Sequence, residues 1–128
     1  MPYRYDQVEQ LEKHELVGNE QCVAVVQVFA GAPVTANWRQ GEAVVGNRLL
    51  RKGTAIATFV DGRYPNRPHG NHAALYLRQG IGGIHVMDQW KTKKSHQISS
   101  RCIPSLRKDK NGNYVSPSDN ADAFFVIR

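Results

Sequence analysis

A chain of 128 residues has room for one hydrophobic core and is too short for two ordinary ones, so it is read as a single domain spanning 1–128. Hydrophobic residues make up 41% and charged residues 22%, with glycine and proline dispersed along the chain, which excludes a disordered or low-complexity chain. The formal charge of +6 favours encounter with anionic partners such as nucleic acid, anionic lipid or an acidic polymer, but it biases approach without specifying chemistry.

The N-terminal stretch "MPYRYDQVEQLEKHELVG" has no basic segment followed by an apolar one, and no apolar run approaches the roughly 20 residues that span a bilayer. The expectation is a protein with no membrane span that leaves its cell, if it does, without a Sec signal. Val8, Leu11 and Leu16 between charges predict a short lead-in helix within 5–17, stopped by Gly18. Next comes "GNEQCVAVVQVFAG". Asn19 is a good N-cap, Glu20 suits the positive end of a helix dipole, and the run Val23–Ala30 is apolar on nearly every side before Gly31 and Pro33. This predicts a buried helix with Cys22 at about its third position.

Residues 32–51 combine turn formers with one Trp and short apolar pairs, and suggest irregular packing. "GTAIATFV" (53–60) reads as a strand and "DGRYPNRPHGN" as a loop. "HAALYLRQGIGGIHVMDQW" predicts a hairpin with strands near His72–Arg78 and Ile84–Trp90 around "QGIGG". Beyond it lie a basic, polar stretch, an Asn111-Gly112 turn and a closing strand in "AFFVIR". A helical beginning followed by a series of strands is an α+β pattern with an antiparallel sheet.

A thiol at a helix start meets unpaired N–H groups and the positive end of the dipole, which lower its pKa and can also hold the oxyanion of an acyl-transfer intermediate. A lone cysteine in a buried helix is ordinarily a small hydrophobe. A nucleophile needs a base, and His72, opening a strand after Gly70-Asn71, would combine rim access with a rigid backbone. If the turn spans Gln79–Gly83, Arg78 pairs with Ile84 and Ala74 with Asp88, making His72 and Asp88 diagonal neighbours on one face. A slip of one residue would present Gln89 or His85 instead.

The stretches "NEQCVAVVQ", "GTAIATF", "GRYPN…GNHAALYL" and "VMDQW" resemble the CHAP and NlpC-type papain-like cysteine peptidases, and more narrowly the small type VI secretion amidase effectors. The resemblance covers about Asn19 to Trp90. It implies a papain-like α+β fold with N-terminal helices on an antiparallel sheet, and cleavage of amide bonds in peptidoglycan stem peptides. Cys22 would be the nucleophile, His72 the base and Asp88 the third member. CHAP members often carry Glu-Gln-Asn before Trp where this chain has Asp88-Gln89-Trp90, which leaves Gln89 as the alternative. The resemblance further implies action in the periplasm of a recipient bacterium, a cognate periplasmic immunity protein, and the diaminopimelate–D-Ala cross-link as the bond cut, with D-Glu–diaminopimelate as the alternative.

Other features carry less. His69 and His72 lack the following Glu of His-Glu-x-x-His and a nearby cysteine pair, so no metal or other cofactor is expected. Cys22 and Cys102 lack Cys-x-x-Cys spacing, Cys102 reads as a packing residue or spare thiol, and a bridge between the two would block the nucleophile. Tyr64, Asn66 and Asn71 precede His72 and are candidates to hydrogen-bond a peptide, although Asn66 is equally a turn former. Lys91, Lys93, Lys94, Arg101, Arg107, Lys108 and Lys110 form a basic C-terminal third, ordinarily a solvated face, here able to steer the enzyme to stem-peptide carboxylates or an acidic inhibitor. The rival reading is a basic binding module, perhaps for nucleic acid. Tyr64, Tyr76 and Trp90 are not interleaved with Lys or Arg as a stacking platform, so nucleic acid is not an expected partner. Within enzymes the alternatives are a housekeeping wall hydrolase and another thiol acyl-transferase.

Overall fold

A computed structural model describes residues 2–65 and 67–128. One helix, α1 (Cys22–Ala30), packs on an antiparallel sheet of six strands in the order β1-β6-β2-β3-β4-β5. The strands are β1 (Gln40–Ala43), β2 (Ala55–Thr58), β3 (Ala73–Gly80), β4 (Gly83–Asp88), β5 (Ser99–Pro104) and β6 (Phe124–Ile127).

The centre of the sheet is covered on both faces, which explains why β2 is apolar at consecutive positions instead of alternating with polar ones. Ala55, Ala57, Ala73 and Leu75 point to the side of α1, where Val25 and Val26 of the helix meet them. Ile56, Ala74 and Tyr76 point the other way and join Val86, Ile103, Phe124 and Ala121. Three of the positions toward the helix are alanines, and their small side chains let α1 lie close to β2 and β3. That approach brings the start of the helix to the end of the sheet where His72 and Asp88 stand.

Several expectations are corrected. The lead-in helix reduces to one 3-10 turn, Val8–Leu11, which buries Val8 and Leu11 and leaves Leu16 outside it, half-buried. Turns flank Val8–Leu11, and beyond them only isolated bridges, Arg4 to Thr54 and Glu15 to Gln97, tie the segment to the sheet side, where its backbone finds partners such as the Gly53 and Ile98 carbonyls. Asn19 does not cap α1. Its Oδ1 accepts the Gln21 N–H at 3.0 Å in a turn one step earlier, so Gln21 is the N-cap and Cys22 the first helical residue, not the third. Nor is the helix buried throughout: Ala24, Val25 and Val26 are inside, whereas Val28 is 56% exposed. Gly31 closes it with φ 76°, the left-handed conformation that glycine adopts without a Cβ penalty.

The hairpin turn is shorter than expected. Gly80 pairs with Gly83 across Ile81-Gly82, and Arg78 faces His85, not Ile84. A bulge at Leu77 then shifts the register, so that Tyr76 faces Val86 and Leu75 faces Met87. Continuing it puts Ala74 opposite Asp88, the pairing the sequence suggested, reached by two offsetting departures. Gly83 has φ 144°, and a Cβ there would lie 2.1 Å from the Ile103 carbonyl oxygen of β5, so no other residue fits without displacing that strand. Asn111-Gly112 forms the expected turn, flanked by the Lys108–Tyr114 bridge. Both strands absent from the sequence reading, β1 and β5, lie at the sheet edges and are largely polar and only partly buried.

Candidate active site

Cys22 is half-buried at the first position of α1, where the opening N–H groups have no partner within the helix. His72 lies one residue before β3, and its backbone is pinned on both sides: its N–H donates to Thr58 Oγ1 at 3.0 Å and its carbonyl accepts the Thr58 N–H at 2.9 Å. Asp88 is the last residue of β4 and is fully buried. His72 Nε2 and Asp88 Oδ2 are 2.7 Å apart. Cys22 and His72 line the same cleft, and the neighbouring imidazole acts to lower the pKa of the thiol.

The alternatives to Asp88 lie elsewhere. His85 pairs with Cys102 of β5, toward the far end of the hairpin. Gln89 is buried and points away from the imidazole: its Oε1 accepts the Val17 N–H at 2.9 Å, and its Nε2 donates to the Val17 carbonyl at 3.0 Å and the Gln21 carbonyl at 2.8 Å. Gln89 thereby straps the N-cap residue in place and fixes the backbone that carries Cys22.

Two cations from the basic C-terminal third belong to the site and not to a solvated face. Lys93 is buried, and its Nζ donates to Asp88 Oδ1 at 2.8 Å, to the Asp88 carbonyl at 2.9 Å and to the Ser99 carbonyl at 3.1 Å. Arg101 Nε donates to Asp88 Oδ2 at 2.8 Å, while Nη1 reaches Asp119 at 2.9 Å. Trp90 stands edge-on to His72 at 5.9 Å and carries Lys93 and Arg101 within 5.0 Å of its ring. Nothing in "QWKTKKS" distinguishes Lys93 from exposed Lys91 and Lys94. Arg101 carried no signal either, because its place follows from β5: Asp88 faces Ser99 on that strand, and Arg101, two residues further along, shares the face.

The charges shift accordingly. Burial raises the Asp88 pKa, but the His72 hydrogen bond and the charges of His72, Arg101 and Lys93 outweigh it and hold the carboxyl well below its ordinary range. Burial lowers the His72 pKa, yet hydrogen bonds to Asp88 and Cys22 and their charges push it up to about 9. Burial raises the Cys22 thiol, and His72, the Ala73 N–H and the Tyr64 hydroxyl reverse that, leaving it below the usual thiol value. A thiolate beside an imidazolium is the favoured resting state of such a pair.

The thiol and imidazole open into a cleft of about 490 Å³ lined by Gln21, His69, Trp90, Arg101 and Asp119. Tyr64 approaches from the side, its hydroxyl 3.9 Å from Cys22 Sγ. Asn71 is engaged in its own loop, accepting from Arg67 Nε and donating to the Arg67 carbonyl. Asn66 lies outside the described residues. Cys22 and Cys102 are both free thiols, and Cys102 is exposed.

The sequence model of domesticated amidase effector 2 matches residues 3–127. The chain belongs to this family of amidase effectors. It is 45% identical over 132 residues to a type VI secretion amidase effector 2 protein of Salmonella typhi, covering 99% of both chains. It is 33% identical to domesticated amidase effector 2 of Ixodes scapularis, over 87% of this chain and 72% of that protein. A solved type 6 secretion amidase effector 2 superposes on it with a TM-score of 0.93 at 43% identity, covering 100% of this chain and 95% of the other. The α+β, papain-like arrangement is therefore that of an amidase effector 2, as the resemblance implied, with one helix on the sheet.

Proposed function

We propose that the chain is one cysteine amidase domain that hydrolyses amide bonds in the peptide part of peptidoglycan. The observation that carries this is the alignment of a thiol at a helix start, an imidazole beside it, and a buried carboxylate 2.7 Å from that imidazole's Nε2.

The Cys22 thiolate attacks the scissile carbonyl carbon: the C–S bond forms and the C=O π pair moves to oxygen, where N–H groups at the start of α1 stabilise it. As the carbonyl re-forms, the C–N bond breaks and the His72 imidazolium gives its proton to the departing nitrogen. Water then attacks the thioester while neutral His72 takes its proton, and sulfur leaves as thiolate. Asp88 holds Nε2 and so leaves Nδ1 for the sulfur side. Lys93 and Arg101 keep the carboxylate ionised and immobile.

The effector names of the relatives support delivery by a type VI system, action in a recipient's periplasm and a cognate immunity protein. Within peptidoglycan the diaminopimelate–D-Ala cross-link is the proposed bond, with D-Glu–diaminopimelate as the alternative. Purified sacculi incubated with wild type and with Cys22→Ala, followed by mass spectrometry of released muropeptides, test both the activity and the bond. Wild-type fragments absent from the variant digest are expected, and their masses identify the amide cut. No wild-type fragments, or equal cleavage by Cys22→Ala, would sink the proposal.

A further inference from the structure

Tyr64 has no part in the Cys-His-Asp scheme, yet its hydroxyl lies 3.9 Å from the sulfur, within sulfur hydrogen-bonding reach. Its position is built from elsewhere in the fold. The ring stands at a steep angle to Trp38 with centroids 4.8 Å apart. Trp38 is itself buried, and its indole N–H donates to the Pro33 carbonyl at 2.8 Å. Tyr64 directly follows the tight turn closed by the Val60–Arg63 bridge. A phenol placed this way stands within reach of the proposed nucleophile.

The structure assigns Tyr64 as a further catalytic residue, whose O–H donates to the Cys22 thiolate in the free enzyme and to the oxyanion during acyl transfer, an inference that rests on the amidase reading above. The movement required is small. When the sulfur lone pair forms the C–S bond, the charge passes to an oxygen on the same carbon, and the hydroxyl follows it by rotating about its C–O bond. Burial and the negative charge of Cys22 both raise the phenol's pKa, so it stays protonated and acts as a neutral donor throughout. It would add a side-chain donor to the backbone N–H groups at the start of α1, and loss of one oxyanion donor costs about 10²–10³ in kcat.

Tyr64→Phe removes the hydroxyl and keeps the ring against Trp38. With a muropeptide substrate the expected result is a kcat reduced about 10²-fold, a KM within about twofold of wild type, and an unchanged melting curve. Iodoacetamide alkylation of Cys22, followed against pH, reads the thiolate without any substrate, and its midpoint should rise in the variant. A kcat within about threefold of wild type, or a loss confined to KM, overturns the assignment. If wild-type protein cleaves no muropeptide, the amidase reading fails by its own test. The alkylation arm then decides the contact alone, a raised midpoint supporting it and an unchanged one overturning it.

Discussion

The two sides of His72 are built differently. Behind it, the carboxylate of Asp88 is fully buried and accepts hydrogen bonds from His72, Lys93 and Arg101. In front of it, Cys22 is half-buried at a helix start and opens into the cleft. The rear has redundant partners and a charge that cannot be removed cheaply. The front has few partners and access to solvent. A nucleophile must meet substrate and change charge during the reaction, whereas the group orienting its base serves best by doing neither.

Breaking the rear should produce the largest effects. Asp88→Ala strands Lys93, Arg101 and His72 without their shared anion, and should cost about 3–5 kcal/mol in denaturant unfolding, with amidase activity falling by about 10⁴ or more. Wild-type stability in this variant would show that the carboxylate is not the hub described. Lys93→Met removes one cation of that hub and leaves the Asp88 and Ser99 carbonyls short of a donor, for a loss of about 2–4 kcal/mol. Because Arg101 still holds the carboxylate, kcat should fall less than in Asp88→Ala.

Titration separates the two sides further. The raised pKa of His72 contributes stability that is fully present below its unfolded value of about 6.5 and is lost as pH rises through about 9. The depressed pKa of Asp88 contributes stability that is present above about 4 and is lost as pH falls through its folded value. Urea midpoints measured across pH should therefore be highest between about 4 and 6.5 and decline on both sides. The pH profile of kcat/KM should have its alkaline limb near 9, where the imidazolium can no longer protonate the leaving amine. A limb at the ordinary histidine value would contradict the ion-pair arrangement.

The smallest effects belong to the exposed lysines flanking the hub. Lys91→Ala and Lys94→Ala should each change stability by no more than about 0.5 kcal/mol. Any loss of activity on sacculi should vanish at high salt, as expected of steering. A salt-insensitive loss comparable to Lys93→Met would erase the distinction between buried and exposed lysines in this segment.

Much of the framework was legible in the residues. The β-branched run of β2, the glycine turn of the β3–β4 hairpin and the closing strand β6 show periodicity or punctuation that local physics dictates. Edge strands β1 and β5 were not legible, since one side of each is open and their polar residues resemble loop. The site divides similarly. Cys22, His72 and Asp88 stood out because residue type and position on an element together imply chemistry. Lys93 and Arg101 did not, since a basic residue in a basic stretch looks solvated until a fold buries it.

The sequence by itself determined that Cys22 lies near the start of a helix, which histidine abuts a strand and which acid can lie one strand away, because these follow from short-range patterns. Only the tertiary structure decided that Asp88 and not Gln89 meets the imidazole, since that choice depends on a bulge at Leu77 offsetting a short turn. It alone decided, too, that Gln89 straps the start of the helix and that Tyr64 reaches the sulfur across 42 residues of chain. Contacts of that kind arise from the packing of whole elements, and no local window of sequence contains them.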